Sequence, residues 1–476
     1  MSALSHHQYK SQKAKWKLIQ GFLTLAIILA ALVGSVLSAS KIQEFLTRAT
    51  AEPANIVVNA QANLGYFEKP WRNLAQGGED HAWRLHPLAS QVKTLHPEYI
   101  RIDHVFDFYD IVSGSSGNLS YDYSKLDALI DDILATGAKP YIVLSYMPSA
   151  ITQGDIVSPP GRFEDWQLVV QKLIEHVSGT RGIEDVYYEV WNEPDLFGNW
   201  KYSGERNYLT LYTYAAQGAV SARGVKSFKI GGPATTGLYK NWFDALAQHV
   251  IANHLRLDFF SWHRYSADVN RYRRDMIQAR GWLKNYPQLE PSLEFHITEW
   301  GSDSDVNPVY DTSYAAAHTA ATAIEMVGIV QRAFVFEIQD GKSPNGQVRW
   351  GRWGMFTHQD FGAQAKPRFR ALQLLEKLGD ERLVLLGKGT YVKAMATKSP
   401  QNDTIQIALA NFDAWGKNSE VVPVAVLDLP LGTYTIVTTF LTKSAVTQTV
   451  SVQGALNFTV PLGPQEVAVV EIKKTN

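Results

Sequence analysis

Two glutamates follow two predicted strands, and they are the residues of this sequence best suited to acid–base chemistry. Glu193 comes directly after the strand-like run 186–191 and Asn192, and Glu299 ends the run that starts at residue 293. Two facing carboxyl groups can share the cleavage of an acetal: one protonates the departing oxygen, and the other stands on the opposite side as a carboxylate. Such chemistry requires both strands to end at the same edge of one sheet.

The chain from residue 55 to residue 379 alternates strand-like and helix-like segments. The first predicted strand starts at Ile56, and the helix predicted over 123–137 carries apolar residues at helical spacing. About eight strand–helix units in ~325 residues predict an α/β fold, a closed (β/α)8 TIM barrel, with an open doubly wound sheet as the alternative. In such a barrel Glu193 and Glu299, on the fourth and seventh strands, face each other across the mouth where active sites lie.

Residues 380–476 have a different character. Helical periodicity is absent, and short alternating runs such as 404–409 and 433–437 are separated by turn residues. About eight short strands of this kind predict a β-sandwich. We therefore expect a catalytic barrel at 55–379 followed by a β-sandwich domain at 380–476.

The first forty residues predict a membrane-targeting segment. Residues 1–17 are polar and rich in lysine, whereas the following twenty residues are almost wholly apolar and uncharged, long enough for a ~30 Å hydrocarbon core. We interpret 1–17 as a cytoplasmic tail, 18–40 as a transmembrane signal anchor or a signal peptide, and 41–54 as a linker. Either alternative places the catalytic domain outside the cytoplasm, membrane-anchored or secreted.

Composition excludes several classes of protein. Lys and Arg number 45 against 46 Asp and Glu, so the chain has no basic excess for a nucleic-acid partner. The absence of cysteine excludes thiol nucleophiles and cysteine metal sites. Neither a histidine–glutamate metal motif nor a phosphate-binding loop occurs, so we expect no metal and no other cofactor.

An ordered set of motifs follows the predicted strands. They are Tyr-Asp-Tyr at 121–123, Gly-Ala-Lys-Pro-Tyr at 137–141, Leu-Ser-Tyr-Met-Pro at 144–148, Glu-Val-Trp-Asn-Glu-Pro-Asp-Leu at 189–196, Ile-Gly-Gly-Pro-Ala-Thr at 230–235, Phe-Ser-Trp-His-Arg-Tyr at 260–265 and Ile-Thr-Glu-Trp at 297–300. With these motifs the chain resembles the retaining glycoside hydrolases of clan A. It is most similar to glycoside hydrolase family 39, which includes β-xylosidases and α-L-iduronidases. The resemblance also implies a C-terminal β-sandwich.

The resemblance implies a role for each matching residue. Glu193 resembles the general acid/base, Glu299 the nucleophile, and Asn192 the residue that binds the 2-hydroxyl group of the sugar. His263 and Tyr265 would line the site from one side of the sixth strand.

Three further residues are candidates for the site. The alternative for Arg101 is a structural partner for a buried acid, and the alternative for the two tryptophans is ordinary core packing. Arg101 would lie near the nucleophile and lower its pKa through its charge. Trp300 and Trp353, near the ends of the seventh and eighth strands, are candidate platforms for a sugar ring.

The sequence departs from the family near the end of the second strand. Asp103 stands where the family usually has a sugar-facing histidine, and His104 is displaced by one position. Because neighbouring residues of a strand face opposite sides, we do not expect His104 to replace that histidine at its own position. Asp103 and His104 are both candidate contacts for the substrate, with a purely structural role as the alternative. Together with Gly301, where the family often has asparagine, these changes favour an altered sugar, such as that of a microbial surface polysaccharide, over plain xylosidase activity.

The sequence predicts a retaining glycoside hydrolase that cleaves O-glycosidic bonds of a poly- or oligosaccharide by double displacement. Two alternatives stay open on the same fold: a non-catalytic carbohydrate-binding surface protein and a transglycosylase. The presence of both Glu193 and Glu299 argues against the first alternative. The expected partners are a carbohydrate substrate and, through the N-terminal helix, a membrane.

Overall fold

The structure, a computed structural model, describes residues 50–77, 80–81, 83–290, 292–342 and 351–475. The predicted cytoplasmic tail and membrane segment, and the linker up to residue 49, lie outside these residues. Among the helices of the described ranges, none is long and apolar enough to span a bilayer.

Strands and helices are numbered here in chain order. The strands are β1 (Ile56–Tyr66), β2 (Asn73–Gln76), β3 (Tyr99–Ile102), β4 (Val112–Ser115), β5 (Asn118–Tyr121), β6 (Lys139–Leu144), β7 (Val186–Val190), β8 (Phe228–Thr235), β9 (Phe259–Tyr265), β10 (Glu294–Gly301), β11 (Arg332–Phe336), β12 (Glu381–Leu386), β13 (Val392–Ser399), β14 (Thr404–Asn411), β15 (Glu420–Leu427), β16 (Gly432–Phe440), β17 (Val446–Val452), β18 (Ala455–Leu462) and β19 (Val467–Lys474). The α-helices are α1 (Ala89–Lys93), α2 (Ser124–Thr136), α3 (Phe163–Ile174), α4 (Tyr208–Ser221), α5 (Lys240–Ala252), α6 (Arg271–Leu283), α7 (Ser313–Met326) and α8 (Pro367–Leu375).

Eight strands form the predicted barrel. They close in the order β10-β11-β2-β3-β6-β7-β8-β9, and every neighbouring pair is parallel. Strands such as β2 and β7 are buried along their whole length because helices cover the outside of the barrel. Since all strands run in the same direction, their carboxyl ends share one mouth.

The prediction that the barrel begins with the strand at Ile56 is corrected by the structure. β1 pairs with β12 and β15, whereas the first barrel strand is β2. The burial pattern gives the reason. Ile56, Val58 and Ala60 alternate with less buried residues, which suits a strand with one covered face, while every residue of β2 is buried.

The C-terminal residues form a β-rich domain. β12 to β19 all lie within the predicted range 380–476, and with β1 they form one nine-stranded sheet. The sequence predicted a β-sandwich; in the structure β1 bridges β12 and β15, so that the hydrogen bonding is continuous. Most buried apolar side chains of this sheet form a core of their own, whereas others, such as Met395, Ala408 and Val467, belong to the core around the barrel.

His318 of α7 is buried where the barrel meets the β-rich domain. Its Nε2 lies 2.8 Å from the carbonyl oxygen of Ser266, and its ring centroid lies 5.1 Å from that of Phe412. Burial lowers the pKa of His318 from 6.5 to about 3. Between about pH 3 and pH 6.5, His318 binds a proton in the unfolded chain but not in the folded chain. The contribution of His318 to stability is therefore full above pH 6.5 and falls as the pH drops below it.

We expect His318→Gln, which keeps a donor for Ser266, to make the protein less sensitive to acid. Between pH 7.5 and 5.5 the free energy of unfolding of the wild type should fall by about 1.4 kcal/mol more than that of the variant. Urea denaturation at both pH values measures this difference. The buried His296, whose pKa burial also lowers, is present in both proteins. Equal losses in the two proteins would contradict the prediction.

Candidate active site

A bulge near the carboxyl end of β10 directs Glu299 into the barrel mouth. β10 pairs with β9 residue by residue up to Ile297 and Trp262, but the next pair is Glu299 with His263, so Thr298 is an extra residue. Bulges turn a strand locally and redirect its side chains. Glu299 and His263 consequently stand side by side at the mouth.

Glu193 reaches the same mouth through a strained backbone. Trp191 and Glu193, just after β7, have φ values of +73° and +43°. Each such conformation costs on the order of 1–3 kcal/mol in a residue other than glycine. The indole of Trp191 packs against Trp166 and Trp200, and the amide of Glu193 donates to the carbonyl oxygen of Ala234 at 3.0 Å. These contacts hold the turn that places the Glu193 carboxyl group.

The two glutamates and His263 converge on one point. A carboxyl oxygen of Glu193, a carboxyl oxygen of Glu299 and a ring nitrogen of His263 lie within 4.8 Å of one another. His263 Nδ1 lies 2.8 Å from Glu193 Oε1 and 3.3 Å from Glu299 Oε2. Carboxyl groups about 5–5.5 Å apart suit direct attack on the sugar, whereas ~6.5–9.5 Å would leave room for a water molecule. The short distance between the nearest oxygens favours direct attack by one carboxylate, and the same three donors could also ligate a metal ion.

Arg101 is buried below the glutamates and binds three of its neighbours. Its Nη1 donates to Glu299 Oε1 at 2.9 Å, its Nε to Glu189 Oε2 at 2.8 Å and its Nη2 to Asn192 Oδ1 at 2.8 Å. Tyr265 Oη donates to the other oxygen of Glu299 at 2.8 Å. Both oxygens of Glu299 are thus fixed by hydrogen bonds to protein donors.

The charges of this cluster act on one another. Burial raises the pKa of Glu299, and the positive charges of His263 and Arg101 oppose this effect. Arg101 therefore acts in the predicted direction, but burial outweighs it. Burial also disfavours a charged imidazole at His263, yet the facing carboxylates of Glu299 and Glu193 raise its pKa. A protonated His263 between the two carboxyl groups reduces the repulsion between them.

A cavity of about 740 Å³ opens above these groups. The sequence-predicted residues that line it are Asp103, His104, Asn192, Glu193, Tyr265, Glu299 and Trp353. Arg101 and His263 do not line it, because both are completely buried beneath the glutamates. Their place in the site is to position Glu193, Asn192 and Glu299.

The prediction of Trp300 as a sugar platform is wrong. Its side chain is completely buried, with the ring 5.6 Å from that of Tyr272 and close to the guanidinium of Arg368. Neighbouring side chains of a strand point to opposite faces. Because Glu299 faces the mouth, Trp300 faces the surrounding helices.

Asp103 and His104, both candidate contacts for the substrate, line the cavity. β3 ends at Ile102, and His104 has a φ of +53°, so the alternation of a strand does not extend to these residues. The Nδ1 atom of His104 lies 2.8 Å from Asp107 Oδ2, and its ring stacks on Phe108 with centroids 4.0 Å apart.

The structure adds residues that the sequence analysis did not identify. Tyr146 lines the cavity and its Oη accepts a hydrogen bond from Asn192 Nδ2 at 3.1 Å. Phe336 and Glu337, at the end of β11, line it as well. Glu337 directly follows the eighth barrel strand, so the rule that selected Glu193 and Glu299 could also have selected it. Tyr146 lies two residues after β6, within the motif 144–148, so the same rule could have selected it as well.

Comparison with known proteins places this arrangement among sugar-cleaving enzymes. The family model described as glycosyl hydrolases family 39 matches residues 54–415. A β-xylosidase of Caldicellulosiruptor saccharolyticus is 29% identical over 386 residues, which cover 74% of this chain and 76% of that protein. Two crystal structures share the fold with a TM-score of 0.74. They are a family 39 enzyme from Xanthomonas axonopodis pv. citri (20% identity, 89% of this chain and 98% of that chain) and a monomeric β-xylosidase from Caulobacter crescentus (21% identity, 89% and 100%).

Proposed function

We propose, from the premise that this chain belongs to glycosyl hydrolase family 39, that Glu299 is its nucleophile and Glu193 its general acid/base. The chain is a retaining glycoside hydrolase that acts on O-glycosidic bonds. The observation that carries the two roles is the convergence of both carboxyl groups within 4.8 Å at the cavity.

In the first step the Glu299 carboxylate attacks the anomeric carbon, and the bond to the leaving oxygen breaks. Glu193 gives its proton to that oxygen, so the leaving group departs as an alcohol and a glycosyl ester of Glu299 remains. Arg101 and Tyr265 hold the attacking carboxylate, and His263 holds the carboxyl group of Glu193.

In the second step a water molecule replaces the leaving group. Glu193, now a carboxylate, takes a proton from the water, whose oxygen attacks the anomeric carbon and releases Glu299. Asn192 lines the cavity and is fixed by Arg101 and Tyr146, which supports its role as the residue that binds the 2-hydroxyl group. The product keeps the anomeric configuration of the substrate because two inversions have occurred.

The configuration of the first product tests this mechanism. Aryl glycosides hydrolysed inside the NMR tube should release first the anomer that has the configuration of the substrate. Release of the opposite anomer would overturn the proposal. Added methanol separates the transglycosylase alternative, because that enzyme would form mainly the methyl glycoside at low acceptor concentration.

Apolar side chains on one side of the cavity support a poly- or oligosaccharide as substrate. Ile156, Leu196 and Phe197 line the cavity and are exposed to solvent. The exposed Tyr239 continues this surface through a hydrogen bond of 3.0 Å between its Oη and Thr236 Oγ1. Flat apolar and aromatic surfaces pack against sugar rings, so further sugar units have a place beyond the scissile bond.

We further propose that residues 18–40 deliver this domain outside the cytoplasm, either as an uncleaved anchor or as a cleaved signal. The support is the long uncharged apolar run that follows a lysine-rich tail. Protease added to intact cells should digest the catalytic domain of an anchored protein, and the medium should contain a secreted one. A protected, cytosolic domain would overturn this proposal.

A further inference from the structure

Asp103 is a buried carboxylate of the cavity that takes part in neither step of the proposed reaction. Its side chain lines the cavity, and the residue is only 7% exposed. Neither oxygen has a hydrogen-bond partner in the described part of the chain. The carboxyl group is also closely confined, since a Cβ atom at Gly77 would lie 3.1 Å from Asp103 Oδ1 and 3.2 Å from Oδ2.

The neighbouring positive groups are committed to other residues. Arg101 binds Glu189, Glu299 and Asn192, and His104 Nδ1 binds Asp107. Burial raises the pKa of Asp103, against the opposing charges of His104 and Arg101. Its oxygens face the cavity without a donor among the described residues, so a ligand in the cavity can supply hydrogen bonds to them.

The negative charge of the cavity restricts which ligand can donate hydrogen bonds to Asp103. Glu193, Glu299 and Glu337 line it together with Asp103, and no lysine or arginine is among the described residues that line it. A uronic acid would bring a further carboxylate into this surrounding. Hydroxyl groups, in contrast, donate hydrogen bonds and carry no charge.

We propose that Asp103 selects the sugar of the substrate by accepting hydrogen bonds from two neighbouring hydroxyl groups, so that the enzyme takes a neutral sugar and rejects a uronic acid. This inference rests on the proposed function, because it places the reacting sugar over Glu299. The two oxygens of one carboxylate match two adjacent hydroxyl groups. An amino sugar offers the same donor chemistry through its ammonium group, and the experiment distinguishes the two.

The test compares the wild type with Asp103→Asn on 4-nitrophenyl glycosides of neutral sugars, hexosamines and hexuronic acids. We expect the wild type to prefer a neutral glycoside, and the variant to lose on the order of 100-fold in kcat/KM on it. Asp110→Asn is the matched control, because it removes one negative charge from the same loop at an exposed position paired with Lys125. Asp103→Ser should behave as Asp103→Asn does.

Deoxy sugars give a result that a merely structural role would not produce. Removing the contacted hydroxyl group should lower kcat/KM of the wild type about 100-fold. It should lower kcat/KM of Asp103→Asn much less, since the variant already lacks the interaction. If both proteins discriminate equally between the sugar and its deoxy analogue, the role of Asp103 is overturned. A preference of the wild type for hexosamines would show that Asp103 recognises an ammonium group and not hydroxyl groups. A preference for hexuronic acids would overturn the inference altogether.

The configuration of the product separates this inference from the proposed function. Wild type and Asp103→Asn should both retain the anomeric configuration. If they do and the expected sugar preference is not found, the result contradicts the role of Asp103 and leaves the proposed function intact. If no glycoside is cleaved, calorimetry with the Glu299→Gln protein supplies the test. The neutral sugar should bind to that protein and lose its affinity when Asp103→Asn is added, and unchanged affinity would overturn the inference.

Discussion

Glu299→Gln should lose turnover by a factor on the order of 10⁴ or more, because an amide cannot form the glycosyl ester on which double displacement depends. Glutamine has nearly the same shape and keeps an oxygen for Arg101 or Tyr265, so the loss reports chemistry rather than folding. The rate of release of 4-nitrophenol measures it. Glu290→Gln, an exposed glutamate ahead of β10, is the matched control and should retain full activity.

A 2-deoxy-2-fluoro glycoside with a good leaving group should trap the ester in the wild type. Mass spectrometry of the intact protein should show one added sugar, and peptide analysis should locate it on Glu299. The Glu299→Gln protein should acquire no label. A label on another carboxylate, or substantial activity in the variant, would show that the nucleophile has been assigned to the wrong residue.

Glu193→Ala should separate the two steps of the reaction. Without a proton donor, substrates with poor leaving groups should react about 10²- to 10⁴-fold more slowly. Dinitrophenyl glycosides need no protonation, so they should still form the ester on Glu299 in a rapid burst. Hydrolysis of that ester should then be slow, because no base activates the water.

Azide tests the role of Glu193 in the same variant, because its attack on the glycosyl ester needs no proton transfer. It is a nucleophile that needs no base, and the loss of the Glu193 side chain leaves room for it beside His263. Azide should restore turnover of the dinitrophenyl glycoside and give a glycosyl azide with the configuration of the substrate. A glycosyl azide of inverted configuration would instead identify Glu193 as the nucleophile, and no rescue would contradict its role as acid/base.

Sequence alone determined the barrel and the chemistry at its centre. The helix predicted over 123–137 is α2 (Ser124–Thr136), because helical spacing of apolar residues is a local property. Glu193 and Glu299 were identified because each follows a predicted strand, and parallel strands bring all such ends to one mouth. The buried arginine in β3 carried a signal as well, since a charge in a wholly apolar strand needs a partner.

Only the tertiary structure decided which way individual side chains face. β1 joined the C-terminal sheet because its partners, β12 and β15, lie more than 300 residues away, and no local pattern records such pairing. The bulge at Thr298 is visible only in register against β9, and it sets both the inward direction of Glu299 and the burial of Trp300. His104 enters the cavity because β3 has already ended, and Asp103 faces the same cavity without a hydrogen-bond partner among the described residues. Composition and periodicity specify where strands end, but register and long-range contacts fix which side chains at those ends face the barrel mouth.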